Sequence, residues 1–153
     1  MTRVLFVCHG NICRSPMAEF VFRDLTERAG LSDHIACASA ATSSEELGNP
    51  VYPPVRRLLA SHGLDCTGKT ARQLVPDDYD RYDLLVGMDA ANLRNMQRLF
   101  GGDPAGTLRL LLSFAGETRD VADPWYTRDF GQCWEDVGRG CRALLRSLRD
   151  GSL

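Results

Sequence analysis

The stretch that decides the fold is LFVCHGNICRSPMAEF, residues 5–20. Apolar residues run straight into Cys8, then into His9, Gly10 and Asn11, and then into Arg14, Ser15-Pro16 and an amphipathic segment. Arg3 to Val7 reads as a buried strand, rich in residues that suit a pleated surface. Ser15 is placed to cap a helix, with Pro16 at its first position, where a missing N–H costs nothing. Met17, Phe20, Val21 and Leu25 recur at helical spacing, so this helix should lie on a sheet and stop near Ala29-Gly30. The chain therefore begins with a strand, a tight loop and a helix.

The same alternation continues outward. Ile35–Ala41 is a second strand, followed by the polar loop Thr42–Pro50. Pro53 and Pro54 open a helix with Val55, Leu58, Leu59 and His62 on its inner face and Gly63 as its stop. Tyr82–Met88 reads as a third strand, and Asp89 is placed to cap a helix carrying Leu93, Met96 and Phe100 on one side. Leu108–Leu112 makes a fourth strand. After the loop Gly116–Thr127, the residues Phe130, Cys133, Trp134, Val137, Cys141, Leu144 and Leu148 describe a long final helix, weakened by Gly138 and Gly140. Strands alternating with helices predict an α/β fold, a three-layer αβα arrangement around a four-stranded parallel sheet. A chain of 153 residues with 44% hydrophobic content suits one domain spanning 1–153. Ligands in such sheets bind beyond the carboxyl ends of the strands, the end at which Cys8 and Asp89 fall.

The balance of 18 Lys+Arg against 20 Asp+Glu leaves a net charge of −2, too small a field to draw in nucleic acid or an acidic membrane surface. No apolar segment reaches membrane-spanning length, and Met1–Val7 reads as a strand and not as a signal peptide, which predicts a cytoplasmic protein. Six cysteines in such a setting are expected as reduced thiols. There is no C-x2-C pair, and His9, His34 and His62 show no ligand spacing, so no metal or other cofactor is expected.

The segment between Cys8 and Arg14 holds Gly10 and Asn11, residues that tolerate left-handed backbone and let a loop turn its N–H groups inward. A loop of that kind feeding a helix N-terminus forms a nest for a tetrahedral anion such as phosphate. Arg14 would close it with a bidentate fork that lysine cannot reproduce. The same donors favour a thiolate: a free cysteine titrates at about 8.5, and helix N-termini with cationic neighbours lower this to about 3.5–7.5. Cys8 is thus a candidate nucleophile, and its attack on phosphorus would give a phosphocysteine. A departing alkoxide or phenoxide needs an acid. Asp123, in VADPWY, is the candidate, held extended by Pro124 and followed by Trp125 and Tyr126, which could flank an aromatic substrate. Asp103-Pro104 reads as an ordinary turn.

VCHGNICRSPMAE and DPWY together resemble the low-molecular-weight protein tyrosine phosphatases, as do the SAAT, GNP, TARQL and GMD segments. The resemblance spans essentially the whole chain. It implies hydrolysis of phosphotyrosine and small aryl phosphates, with a phosphate-binding loop between the first strand and first helix made of His9, Gly10, Asn11, Ile12, Cys13 and Ser15. Cys8 would be the nucleophile, Arg14 the phosphate clamp, and Asp123 the acid and then the base. Asn11 and Ser15 would shape the loop, Ser15 easing thiolate departure, and Ser39 would support Asn11. Cys13 would pair with Cys8 on oxidation, while Cys37, Cys66, Cys133 and Cys141 are expected in the core. Implied partners are tyrosine-phosphorylated proteins or peptides, for a monomer or weak dimer.

One position departs from the family pattern. The aromatic residue that usually walls the substrate ring is Glu45 here; either Tyr52 compensates, or Glu45 and Glu46 favour peptides with basic flanks. Lys69 stands where some relatives have histidine and receives no role. Two other readings use similar loops. Protein-arginine phosphatases tend to carry threonine where this chain has Ile12, and arsenate reductases need further mid-chain cysteines, of which residues 67–132 contain none. A phosphate- or phosphopeptide-binding module without turnover would not need Asp123.

Overall fold

The computed structural model describes residues 1–153. Its sheet has four parallel strands in the order β2-β1-β3-β4, with β1 at Thr2–Cys8, β2 at Ile35–Ala41, β3 at Leu84–Gly87 and β4 at Leu108–Leu110. The central strand β1 is buried from Val4 to Cys8, and the period-2 alternation of its side chains divides the core. Val4, Phe6 and Cys8 join the larger cluster, with Met17, Phe22 and Leu144; Leu5 and Val7 join a smaller one on the other face, with Leu85 and Met96. Helices α1 (Arg14–Arg28) and α6 (Phe130–Asp150) cover the first face, and α4 (Ala90–Phe100) covers the second. Cys8 therefore ends β1 on the side where α1 begins.

Several boundaries differ from the expected ones. The third strand is shorter at both ends. Asp83 offers its carboxylate to the Arg3 N–H at 2.7 Å, and Asn92 Oδ1 takes the N–H groups of Met88 and Asp89 at 3.0 and 3.1 Å. With β3 stopped at Gly87, which pairs with Leu110, Leu111 has no ladder partner. Residues 111–115 accordingly wind into a 3₁₀ turn in place of the expected strand end. A Cβ on Gly140 would collide with the Leu111 side chain, so this glycine permits the last helix to seat on that turn.

Ser15 is not the helix cap. Helix α1 starts at Arg14, with Cys13 in the capping position and no side-chain cap bond, because the Ser15 hydroxyl is engaged elsewhere. Helix α2 (Pro53–Ser61) buries Val55 and Leu59, whereas His62 lies exposed past its end, stacked on Trp134 at 3.9 Å. A short helix α3 (Asp78–Arg81) precedes β3, and a single turn α5 (Pro124–Thr127) occupies the end of the stretch read as a loop. No helix is long and apolar enough to cross a membrane.

Candidate active site

The loop between β1 and α1 wraps around the sulfur of Cys8. Asn11 takes the left-handed conformation at φ 60°, a conformation its short polar side chain tolerates better than most residues can. That twist turns the Asn11 N–H onto Cys8 Sγ at 3.3 Å, and the Ser15 hydroxyl lies 3.0 Å from the same sulfur. Cys8 and Arg14 are almost fully buried, so these contacts act in a low-dielectric setting where each dipole counts for more than in water.

The hydrogen bonds behind the loop run in one direction. Asn11 Nδ2 donates to Ser15 Oγ at 2.8 Å and to Ser39 Oγ at 2.9 Å, while its Oδ1 accepts the Arg72 N–H at 3.1 Å. The Ser39 hydroxyl donates to Glu19 Oε1 at 2.6 Å. Lys69 Nζ at 3.3 Å and Arg23 Nη2 at 2.7 Å face the same buried carboxylate. An ionised Glu19 can only accept, which orients the Ser39 hydroxyl, then the Asn11 amide, and leaves the Ser15 proton free to point at the Cys8 sulfur. Glu19 and Lys69 were not legible as parts of the site. Glu19 sits on a helix in a pattern that reads as solvent-facing, and Lys69 comes from a loop.

Arg14 is held from three sides. Its Nη1 donates to Asp89 Oδ2 at 2.7 Å and to the Val121 carbonyl at 2.9 Å, and Nη2 lies 3.4 Å from Asp123 Oδ2. Burial disfavours the charged guanidinium, but Cys8, Asp89 and Asp123 outweigh it, so Arg14 holds its proton more firmly than a free arginine. Asp89 was expected only as a helix cap; it caps α4 through the Asn92 N–H and orients Arg14 as well.

Asp123 has the extended backbone expected before proline, φ −77° and ψ 113°, and caps α5 by accepting the Trp125 N–H at 3.0 Å. The segment leading to it is tied down at three points. Arg119 forks onto the buried Asp136 of α6 at 2.7 and 3.0 Å, Asp120 accepts the Ala90 N–H at 3.1 Å, and the Val121 N–H donates to the Met88 carbonyl at 2.8 Å.

A cavity of about 130 Å³ opens above the sulfur. Of the residues read from sequence, Cys8, His9, Gly10, Ile12, Cys13, Arg14, Glu45, Asp123, Trp125 and Tyr126 line it, joined by Glu46. Asn11, Ser15 and Ser39 stand behind the loop. Tyr52 does not wall the cavity: it packs on Trp125 at 4.8 Å between ring centroids, and its N–H donates to the Ile12 carbonyl at 2.9 Å. Burial first, and Cys8 second, push the Cys13 thiol well above the usual range. Burial likewise lifts Cys37 and Cys133 to about 12. No group of three His, Cys, Asp or Glu side chains is arranged to hold a metal ion.

The chain as a whole is similar to known proteins. The family model for low molecular weight phosphotyrosine protein phosphatases matches residues 3–152. The chain is 42% identical over 155 residues to a low molecular weight protein-tyrosine-phosphatase of Streptomyces coelicolor, covering 97% of this chain and 94% of that one. It is 37% identical over 151 residues to the low molecular weight protein-tyrosine-phosphatase YfkJ of Bacillus subtilis, covering 97% of each. The crystal structure of YfkJ superposes with a TM-score of 0.96 over 100% of this chain and 98% of that one, at 36% identity. A Drosophila arginine phosphatase shares the fold at 27% identity, with a TM-score of 0.87 over 97% and 98% of the two chains. The chain thus belongs to the low molecular weight phosphotyrosine protein phosphatases, cysteine-dependent enzymes that hydrolyse phosphotyrosine through a phosphocysteine intermediate.

Proposed function

We propose that Cys8 is the nucleophile of this reaction, Arg14 the clamp on the phosphoryl oxygens and Asp123 the proton donor. In the first step Cys8 Sγ forms a bond to phosphorus as the bond to the tyrosyl oxygen breaks, and Asp123 gives its proton to the departing phenolic oxygen. In the second, the Asp123 carboxylate takes a proton from water, the water oxygen bonds to phosphorus, and the Cys8 thiolate leaves. The Ser15 hydroxyl and the Asn11 N–H receive the negative sulfur both times, so no bond needs to reorganise between steps. The observation that carries this reading is the convergence of these two donors on one sulfur, beside a buried guanidinium 3.4 Å from the carboxylate of Asp123.

Ile12 beside Trp125 supports an aryl substrate. An apolar wall suits a phenyl ring. Tyrosine-phosphorylated proteins or peptides are the substrates this reading assigns. This reading takes residues 1–153 as one catalytic domain, a monomer or weak dimer. Free thiols throughout fit the cytoplasm. Cys13 would serve as the resolving thiol: peroxide converts Cys8 to a sulfenic acid, and attack by Cys13 sulfur forms the disulfide and releases water.

Rapid mixing with an aryl phosphate at mildly acidic pH, without metal, tests the scheme. The expected result is a stoichiometric burst of phenol before slower turnover, absent in Cys8→Ser. Phosphate binding without any release of phenol would overturn it.

A further inference from the structure

We propose that Glu45 is a specificity-determining residue, selecting phosphotyrosine that is flanked in its peptide by arginine or lysine; this rests on the pocket above Cys8 being the phosphotyrosine site. A substrate that seats its phosphate on the loop leaves its own backbone at the rim, so the neighbouring side chains are the ones that meet the rim residues. The rim is strongly one-sided in charge. The lining holds three carboxylates, from Glu45, Glu46 and Asp123, against a single arginine, Arg14, buried at the base and already facing Asp89 and Asp123.

Glu45 is also held in place, which separates it from an ordinary surface glutamate. His9, the residue after the nucleophile, lies with Nε2 3.0 Å from Glu45 Oε2. A carboxylate can only accept, so the imidazole donates through Nε2. The segment bearing Glu45 is fastened to the phosphate loop itself: the Thr42 N–H donates to the Cys8 carbonyl at 2.9 Å, and the Ser43 N–H and hydroxyl both donate to the His9 carbonyl, at 3.1 and 2.9 Å. Behind it, Glu46 accepts from Asn49 Nδ2 at 2.7 Å and packs so closely over Gly10 that a Cβ there would lie 3.3 Å from Glu46 Cγ.

Arg128, an exposed cation on the aromatic side, is committed to other groups. It donates to the Tyr52 hydroxyl at 3.0 Å and lies over the Tyr52 and Phe130 rings. Trp125 and Tyr126 remain exposed at the mouth. A flanking arginine or lysine thus finds a fixed carboxylate for its charge and aromatic faces for its stem, while a flanking aspartate meets like charge.

The test compares two phosphotyrosyl peptides identical except for the residues on either side of the phosphotyrosine, arginine in one and aspartate in the other. Their kcat/KM ratio is measured in one preparation, so any common loss of activity cancels. An aryl phosphate run alongside reports on the catalytic reading independently. The wild type is expected to favour the basic peptide by about fivefold at low salt, the scale of an exposed ion pair, and less as salt screens the rim. Glu45→Gln, which keeps the contact with His9 but not the charge, should bring the ratio to within about twofold of one, and Glu45→Lys should reverse it. A wild-type ratio near one, or a preference that survives Glu45→Gln, overturns the proposal even while aryl phosphate is hydrolysed. No aryl phosphate hydrolysis overturns the catalytic reading instead.

Discussion

The floor and the rim of the cavity are built on opposite rules. At the floor, Cys8, Asn11, Arg14, Ser15 and Ser39 are buried; Cys8, Asn11, Ser15 and Ser39 share one hydrogen-bond network, and Arg14 is held separately by Asp89. At the rim, Glu45, Trp125 and Tyr126 face solvent, and Tyr126 is 80% exposed. A buried network fixes geometry, because any partner removed leaves a polar group stranded away from water. An exposed rim can change its side chains at little cost to the fold. Under the proposed roles the difference keeps chemistry and selectivity apart, with turnover assigned to the floor and substrate choice to the rim.

Substitutions can break that division. The largest effect is expected for Arg14→Lys, which keeps the charge but loses the fork that faces Asp89, Val121 and Asp123; kcat should fall by about 10³-fold, measured with an aryl phosphate. Next is Asp123→Ala, which should slow poor leaving groups by about 10²-fold and activated ones by less than tenfold. Equal slowing of both across a leaving-group series would show that Asp123 donates no proton. Asn11→Ala combines left-handed strain with lost bonds to Ser15, Ser39 and Arg72. It should lower kcat several-fold and thermal stability by about 1–3 kcal/mol, read by denaturation with and without phosphate. The smallest effect belongs to Trp125→Ala, expected to raise KM for phosphotyrosyl peptides by about threefold with kcat steady, as lost packing against a substrate ring would. A fall in kcat as large as that of Asn11→Ala would place the rim inside the chemistry and dissolve the contrast.

The floor was largely legible in the sequence and its supports were not. Cys8, Asn11, Arg14 and Ser15 lie within one short segment whose strand-loop-helix pattern places them together without tertiary knowledge. Asp123 carried its proline as a local marker of extended backbone. Asp89, Glu19 and Lys69 act across the fold, and nothing local distinguishes a glutamate that receives Ser39 from one that faces water. The secondary structure divides the same way. The strand β1, the helices α1, α4 and α6, and the parallel order follow from periodicity. The end of β3 and the 3₁₀ turn do not, because they depend on Asn92 capping two N–H groups and on Gly140 admitting Leu111. Ser15 was misplaced as a cap for a related reason: its hydroxyl serves the Cys8 sulfur, a demand invisible to helix rules.

Tyr52 joins the two regions, and this sets a length scale. Its backbone N–H holds the Ile12 carbonyl of the phosphate loop while its ring backs Trp125 of the rim, so one residue bridges the two as a spacer. Such a spacer turns the cavity into a gauge of reach. A phosphate carried on a phenyl ring extends far from its peptide and arrives at the sulfur with the backbone still outside. A phosphate on a single methylene, as in phosphoserine, would have to drag its backbone into the cavity. Discrimination between the two kinds of phosphoprotein then needs no dedicated contact, only a rigid wall of the right height.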